Sequence, residues 1–308
     1  MILLCGIRSE PPLAMVGAEL GRMGAHVAWF DQRRALETRL EVRLAAGRVS
    51  GRLRTPEADV NLEAVDAVYV RTMDDRLLPE VESLAADAEE RRQCRTVHDR
   101  LFAWLGLSEA LVINRTEAQA SNGAKPYQLQ VIAEAGFAIP ETLITNDPQQ
   151  AIAFRDRHRL VVYKSMSGER SIVSPLTDLD LQRLDRLRLC PVQFQAWVPG
   201  PDVRVHVVGN ETFAACVSTS ATDYRYPARS GATRPQVSSF ELDPEMAGRC
   251  VTLAQRLGLE FAGIDLRMPP GGEPVCLEVN PSPAFSYFEM ATGLPIAAAL
   301  ARRLASAG

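Results

Sequence analysis

"LEVNPSPAFSYFE", residues 277–289, sets Glu278, Asn280 and two prolines between an apolar run and an aromatic cluster. Just upstream, "FAGIDLRM", residues 261–268, holds Asp265 inside a second apolar run. The intervening "RMPPGGEP" is rich in proline and glycine, so the two runs should pair as antiparallel strands. Residues two apart on a strand share a face. Glu278 and Asn280 therefore point the same way, and Asp265 on the partner strand can face them. Two carboxylates and an amide oxygen are hard ligands suited to Mg²⁺, or to Mn²⁺ in its place, with positions left for water and phosphate. Taken alone, the same acids also fit the solvent side of a half-buried sheet.

The rest of the chain limits what such a site can serve. In 308 residues there is room for two domains or one large, subdivided one. With 46% hydrophobic and 23% charged residues, the composition is that of a globular protein with a full core. A net charge of −4 argues against general nucleic-acid binding, which needs a basic face. Six cysteines lie far apart without a C-x-x-C pair, which disfavours a zinc site and a disulfide scaffold. The start "MILLCGIRSEPP" lacks the length and basic flank of a signal peptide, and no apolar stretch is long enough to span a bilayer. A reducing cytoplasm is the expected setting, and a homo-oligomer remains open. The four histidines show no pairing, and neither a G-x-S-x-G motif nor a Rossmann G-x-G-x-x-G occurs.

Working outward, "MILLCGI", "PPLAMVGAELGRMGA" and "HVAWFD" read as strand, helix, strand, the opening of a parallel sheet covered by helices. "RVSGRLRT" reads as an antiparallel hairpin insertion and "AVDAVYVRT" as a further strand. Residues 78–107 carry helical apolar spacing as one stretch, ending near Gly106, and "ALVINR" closes the unit near residue 113. A helix in "KPYQLQVIAEAG", a strand and a capped helix in "TLITNDPQQAIAFRDRH", and a hairpin in "LVVYKSMSGERSIVSPL" follow. "PVQFQAWVPGPDVRVHVVGNETFAACVSTS" gives three strands, and "DPEMAGRCVTLAQRLG" a helix capped by Asp243 and stopped by Gly258. The acidic strand pair and a last helix, "LPIAAALARRLA", complete the chain. The order is α/β first, then two α+β halves.

From Gly263 to the C-terminus the sequence resembles the ATP-grasp superfamily, in its glutathione synthetase and ribosomal-protein glutamate ligase (RimK-like) branch. The last strands of that branch read "GxDL…LEVNPSP" before an aromatic, acidic segment and a terminal amphipathic helix. The likeness extends back through "INRTEAQASNGAKPYQLQVIAEAGFAIPETLIT", so it covers residues from about 113 to 308. It implies two α+β subdomains sandwiching ATP, over residues 114–192 and 193–308, preceded by a parallel-sheet α/β domain over 1–113. Asp265, Glu278 and Asn280 then stand where that family holds Mg²⁺ against the ATP phosphates.

The resemblance also implies roles for other residues. Lys125 at a helix start and Lys164 on a strand before a loop match the lysines that reach nucleotide phosphates. The chain has two lysines against 32 arginines, so finding both in these places is a specific match. The loop "SMSGERSIV" would close over the phosphates, with Gly168 as its one glycine. The segment from Gln195 through Ala196 and Trp197 to Val198 resembles the hinge that reads adenine, although the family has an acidic residue where Ala196 stands. Asp202 matches the acceptor for the ribose hydroxyls. Arg204, two residues on, shares its face and can reach a phosphate or the substrate. Arg225, in "DYRYPARSGA", matches the arginine on the γ-phosphate and acyl phosphate, where a bidentate fork is favoured. For the substrate, Arg229 lies in the same loop. Arg8 and Arg71 fall at the carboxyl ends of parallel strands, where ligands gather, and the same position suits two arginines that dock the domains together.

The activity so implied is ADP-forming ligation by ATP, joining an amino acid or peptide to a carboxylate through an acyl phosphate. Parts of the chain ("VYVRTMDD", "TLITNDP") are also similar to ATP-grasp maturases that close ester or amide links between side chains of ribosomal peptides. A small-molecule kinase and a non-catalytic ATP-binding regulator are the readings from other classes.

Overall fold

In the computed structural model, residues 1–166, 172–219, 223 and 235–308 are described. The first unit runs β1 (Ile2–Gly6), α1 (Pro11–Arg22), β2 (Val27–Asp31), β3 (Arg39–Ala45), β4 (Arg48–Arg54), β5 (Asp59–Asn61), β6 (Ala67–Arg71), α2 (Pro79–Glu82), α3 (Glu89–Leu107) and β7 (Leu111–Ile113). Strands β2-β1-β6-β7 form a parallel sheet in that order. Every residue of β1 is buried, as a strand covered on both faces requires. Ile2 and Leu4 pack on one side with Leu13, Val16 and Leu20 of α1, while Leu3 and Cys5 pack on the other with Val97, Leu101 and Trp104 of α3.

Strands β3-β4-β5 form the antiparallel insertion, with a two-residue turn at Ala46 and Gly47, both at positive φ. The helical stretch expected over 78–107 is broken between α2 and α3. Arg91 explains the break: its guanidinium donates to the carbonyls of Glu82 and Leu84, satisfying acceptors left at the end of α2.

The next elements are α4 (Thr116–Gln119), α5 (Lys125–Glu134), β8 (Thr142–Thr145), α6 (Pro148–Arg157), β9 (Val161–Ser165), β10 (Ser174–Pro175), α7 (Asp178–Leu181) and β11 (Val192–Ala196). They build an antiparallel sheet of order β10-β9-β11-β8. Alternation divides its residues cleanly. Val161 and Phe194 enter a core with Ala151 and Phe154 of α6, which leaves Val162, Lys164 and Gln195 for the other face.

The third group is β12 (Asp202–Val208), β13 (Glu211–Ser218), β14 (Gln236–Phe240), α8 (Pro244–Arg256), β15 (Phe261–Arg267), β16 (Val275–Asn280), α9 (Ser286–Thr292) and α10 (Ile296–Ala305). Its sheet has the order β14-β13-β12-β15-β16, antiparallel throughout, with β15 and β16 paired as expected. In "DVRVHVV", Val203, Val205 and Val207 pack into a core with Leu253 and Ala254 of α8. Asp202, Arg204 and His206 take the opposite face by the same period.

The first and last parts of the chain share one core. Ile296, Leu300 and Leu304 of α10 pack with Ile2, Leu4 and Leu13 of the first unit. The division we propose at residue 113 therefore separates sheets rather than cores. Asn114, 5% exposed, sits at that junction and is fully used. Its amide nitrogen donates to the carbonyls of Phe261 and Pro281, both at 2.6 Å, and its Oδ1 accepts from Glu260 N and Phe261 N. Removing this side chain leaves buried backbone groups unpaired. Asn114→Ala is expected to cost about 2–4 kcal/mol, read as a lowered urea midpoint with an unchanged slope. An unaltered midpoint would show that the junction does not depend on it.

Candidate active site

The even-numbered face of β12 and the cleft face of β9 and β11 look at each other across an open cleft. The cleft combines apolar walls, from Val162, Val173, Trp197, Val198 and Leu277, with the charged groups of Lys164, Asp202, Asp223, Asp265, Arg267 and Glu278. Such a lining suits a ligand that joins a flat, apolar ring to a polyanion with its counter-ion.

The acidic strands meet as their sequence implies. Asp265 is opposite Glu278, and Gly263 is opposite Asn280, with a bulge after Asp265. Gly263 is required for space. A Cβ there would lie 2.6 Å from Nη1 of Arg204 and 2.7 Å from Pro283, so only glycine lets the guanidinium lie across the strand. Arg204 is thereby set beside Asp265, with Nε 3.1 Å from Oδ1, and its Cζ stands 5.9 Å from the ring centre of Phe288. Asn280 Oδ1 accepts from Ser282 N, which orders the loop after β16.

Both lysines converge on one oxygen. Lys125 Nζ lies 3.4 Å and Lys164 Nζ 3.1 Å from Oε2 of Glu278, and both side chains are about 5% exposed. They arrive from different elements, Lys125 from the first residue of α5 and Lys164 from β9. One turn after Lys125, Gln128 donates to the carbonyl of Val279 and accepts from its N–H, at 2.9 and 3.0 Å. A side-chain amide thus completes the edge strand β16 and fixes α5 against it.

Gln195, Ala196, Trp197 and Val198 all line the cleft, as does Asp202. Burial pushes the Asp202 carboxyl up to about 6, against the pull of Arg267 and with a push from Asp265. Gly168, Arg225 and Arg229 lie outside the described residues. The arginines proposed for substrate sit in the first unit, with unlike surroundings. Arg8 is half exposed, pairs with Glu57 at 2.6 Å and stacks over Trp29. The Arg71 side chain is 8% exposed, bound through Nε to both oxygens of Glu10, and through Nη1 to Ser282 Oγ and the Pro283 carbonyl at 3.2 Å. Its donors tie the first sheet to the loop that follows Asn280.

Sequence reasoning missed Arg267, Asp223 and Gln128. Arg267 follows Asp265 by two, the same strand period that marked Arg204 after Asp202. Gln128 is one helical turn beyond Lys125. Asp223 lies in "DYRYPARSGA", and nothing in its spacing announces that it lines the cleft.

The RimK-like ATP-grasp domain family model matches residues 120–304. This chain belongs to that family. A probable alpha-L-glutamate ligase of Enterobacter sp. (strain 638) is 30% identical over 213 residues, covering 64% of this chain and 67% of the relative. A ribosomal protein bS6–L-glutamate ligase of Salmonella paratyphi B is 29% identical over 215 residues, with the same coverage. Among solved structures, a RiPP-associated ATP-grasp ligase of Chryseobacterium gregarium, in complex with ADP and a leader and core peptide, superposes with a TM-score of 0.84 at 22% identity, over 100% of this chain and 97% of its own. The ATP-grasp ligase PsnB, complexed with minimal precursor, Mg and ADP, gives 0.80 at 26% identity over 99% and 96%. As a RimK-like ATP-grasp protein, the chain is an ATP-dependent ligase, and ATP is its nucleotide. No helix among the described residues is long and apolar enough to cross a membrane.

Among the described residues no group of three or more His, Cys, Asp and Glu side chains is placed to hold a metal ion by itself. The set Asp265, Glu278 and Asn280 has two carboxylates and one amide, which fits a cation that completes its shell with water and phosphate oxygens. Glu278→Gln keeps the volume and an acceptor for the lysines while removing the charge. It is expected to lower ATP turnover at least about a hundredfold, with an unchanged far-UV spectrum. Near-normal turnover at ordinary Mg²⁺ would remove Glu278 from the metal set. A second expectation follows from Asp202. Protonation takes away an acceptor, so KM for ATP should rise as pH falls through about 6 and level off above it. A flat profile across that range would separate Asp202 from nucleotide binding.

Proposed function

We propose that this ligase acts on a peptide, activating a side-chain carboxylate by ATP and joining it to an amine or hydroxyl of the same peptide. The observation that carries this reading is the extent of the structural likeness. PsnB, solved with its precursor, is similar at 26% identity over 99% of the chain, first α/β unit included. In the second reading a free amino acid, such as glutamate, is added to a protein or peptide end. The 30% identity to the glutamate ligase supports that reading.

The chemistry proposed is the same in both. A carboxylate oxygen attacks the γ-phosphorus and ADP leaves. The resulting acyl phosphate is then attacked by the nitrogen or oxygen nucleophile, with release of phosphate and one proton. Mg²⁺, held by Asp265, Glu278 and Asn280, would supply charge neutralisation at the phosphates. Lys125 and Lys164 would transfer from Glu278 to phosphate oxygens, which replaces a shared carboxylate by a stronger anion. Arg204, beside Asp265, would turn its guanidinium to the transferring group, and Arg225 is proposed to reach the same group. Trp197 and the hinge backbone would hold the base, and Asp202 the ribose. Arg8 and Arg229 are kept as candidate substrate contacts. For Arg71 we propose the tie between first unit and metal loop in place of a substrate contact, because its donors already have partners.

No protein nucleophile takes part, so the rate comes from positioning and preorganised charge. The test uses peptides with acidic side chains and a lysine or serine, incubated with ATP and Mg²⁺ with or without free glutamate. ADP and phosphate are expected in equal amounts, with a peptide product lighter by one water per link and no need for the free amino acid. A product heavier by a glutamyl residue supports the second reading. AMP and pyrophosphate would exclude the acyl-phosphate route.

A further inference from the structure

The hinge segment from Gln193 to Pro201 contains no charged side chain, yet a guanidinium reaches it from another strand. Arg267, the last residue of β15, is the cross-strand partner of Asp202. Its Nη2 lies 2.8 Å from Asp202 Oδ1, and its Nη1 donates to the carbonyl of Val198 at 3.2 Å. Its Cζ stands 4.5 Å from the centre of the Trp197 ring. One planar group thus touches a carboxylate, a backbone carbonyl and an indole, a combination that a lysine cannot reproduce.

The backbone next to it is fastened to the same hinge. Met268 N donates to the carbonyl of Pro201 at 3.1 Å. Gly200 adopts a φ of +117°, and a Cβ there would lie 2.1 Å from the Met268 carbonyl oxygen. The contact between the end of β15 and the hinge is therefore too close for any side chain at residue 200. Arg267 is 7% exposed, and its Nε is buried without an acceptor. An unpaired buried donor is costly in the ligand-free protein and marks a place where a ligand acceptor would be stabilising.

We propose that Arg267 is the positioning residue that makes this cleft select a ribonucleotide. It holds the Asp202 carboxylate, the Val198 carbonyl and the Trp197 ring in one frame, so that the ribose hydroxyls meet a fixed acceptor. With Oδ1 directed to Arg267, Oδ2 of Asp202 is left to accept from the sugar. The guanidinium also opposes the burial that drives this carboxyl toward its neutral form. The inference rests on the reading that ATP occupies this cleft with its ribose at Asp202.

The test is equilibrium binding to the full chain by titration calorimetry with Mg²⁺, comparing ADP with 2′-deoxy-ADP and 3′-deoxy-ADP. Wild-type protein should prefer ADP over at least one deoxy analogue by about tenfold or more, the range of a charge-assisted hydrogen bond. Arg267→Met should weaken ADP to the level of that analogue while leaving the analogue within about twofold of its wild-type affinity. Asp202→Asn should reproduce this loss, and the double variant should add nothing further. Should Arg267→Met fail to fold, Arg267→Lys carries the same comparison, since it keeps the stem and charge but cannot bridge all three partners.

Equal weakening of all three nucleotides would reduce Arg267 to a structural role and overturn the proposal. So would additive single effects or an unchanged preference in the variants. A wild-type protein that binds ADP without any preference for ribose overturns it while leaving the cleft as the nucleotide site. A wild-type protein that binds none of the three overturns the reading of the cleft and the proposal together.

Discussion

Two ammonium groups, both nearly out of water, and the one carboxylate oxygen they share form the interaction on which the rest of the arrangement depends. Lys125, Lys164 and Glu278 come from a helix and from two different sheets, and they meet at Oε2 of the glutamate. A buried ammonium without a partner is costly, so each sheet must be placed to keep these contacts. The same requirement makes the ligand-free cleft ready for a polyanion. In the proposed mechanism the carboxylate that holds the lysines also receives the metal, and neither lysine would have to travel far for phosphate oxygens to replace Glu278 as its partner.

The contacts that fix Glu278 reach well beyond the cleft. Gln128 joins α5 to β16, Asn114 joins the chain after β7 to the start of β15 and to Pro281, and Arg71 joins β6 to Ser282 and Pro283. Each of the three engages β16 or the proline loop after it. The end of β16 and the "NPSP" sequence after it are therefore held by three groups from different elements, each of them buried or charged. A first unit that shares its core with α10 and clasps this loop is mechanically part of the site.

The sequence made the strand pairing and the face of each acidic residue legible, because period-two alternation leaves one arrangement for "GIDL" against "LEVN". It made the two lysines legible because the chain has so few. The helix stops at Gly136 and Gly258 were readable for a physical reason, since both glycines adopt positive φ. What escaped depends on partners distant in sequence. Arg91 breaks a helix through carbonyls seven and nine residues away. For Arg71, a strand end suits a substrate carboxylate and the docking of two units equally, and only its partners Glu10 and Ser282 favour docking. Arg267 stands in an apolar run with no motif of its own, and its meaning comes from the hinge it touches. Side chains whose role is to hold another group carry little local signal, because their neighbours in the chain are not their neighbours in space.

The distribution of reactive groups explains why a site of this composition relies on position rather than covalent chemistry. Burial pushes the thiol of Cys250 up to about 12, and those of Cys5 and Cys276 also well up, so none of the three offers a thiolate at ordinary pH. His206 is fully buried on the same strand face as Arg204, and burial, with that neighbouring guanidinium, keeps it neutral. It packs against Phe261 and Phe288 and leaves both ring nitrogens unpaired. A neutral imidazole there keeps further positive charge away from Arg204, whose own balance is set by Asp265. The chemistry-bearing groups left at the cleft are cations and carboxylates held at fixed separations. Such a set can lower the charge on a transferring phosphoryl group without forming a bond to it, and the nucleophiles for both steps then have to come from the substrates.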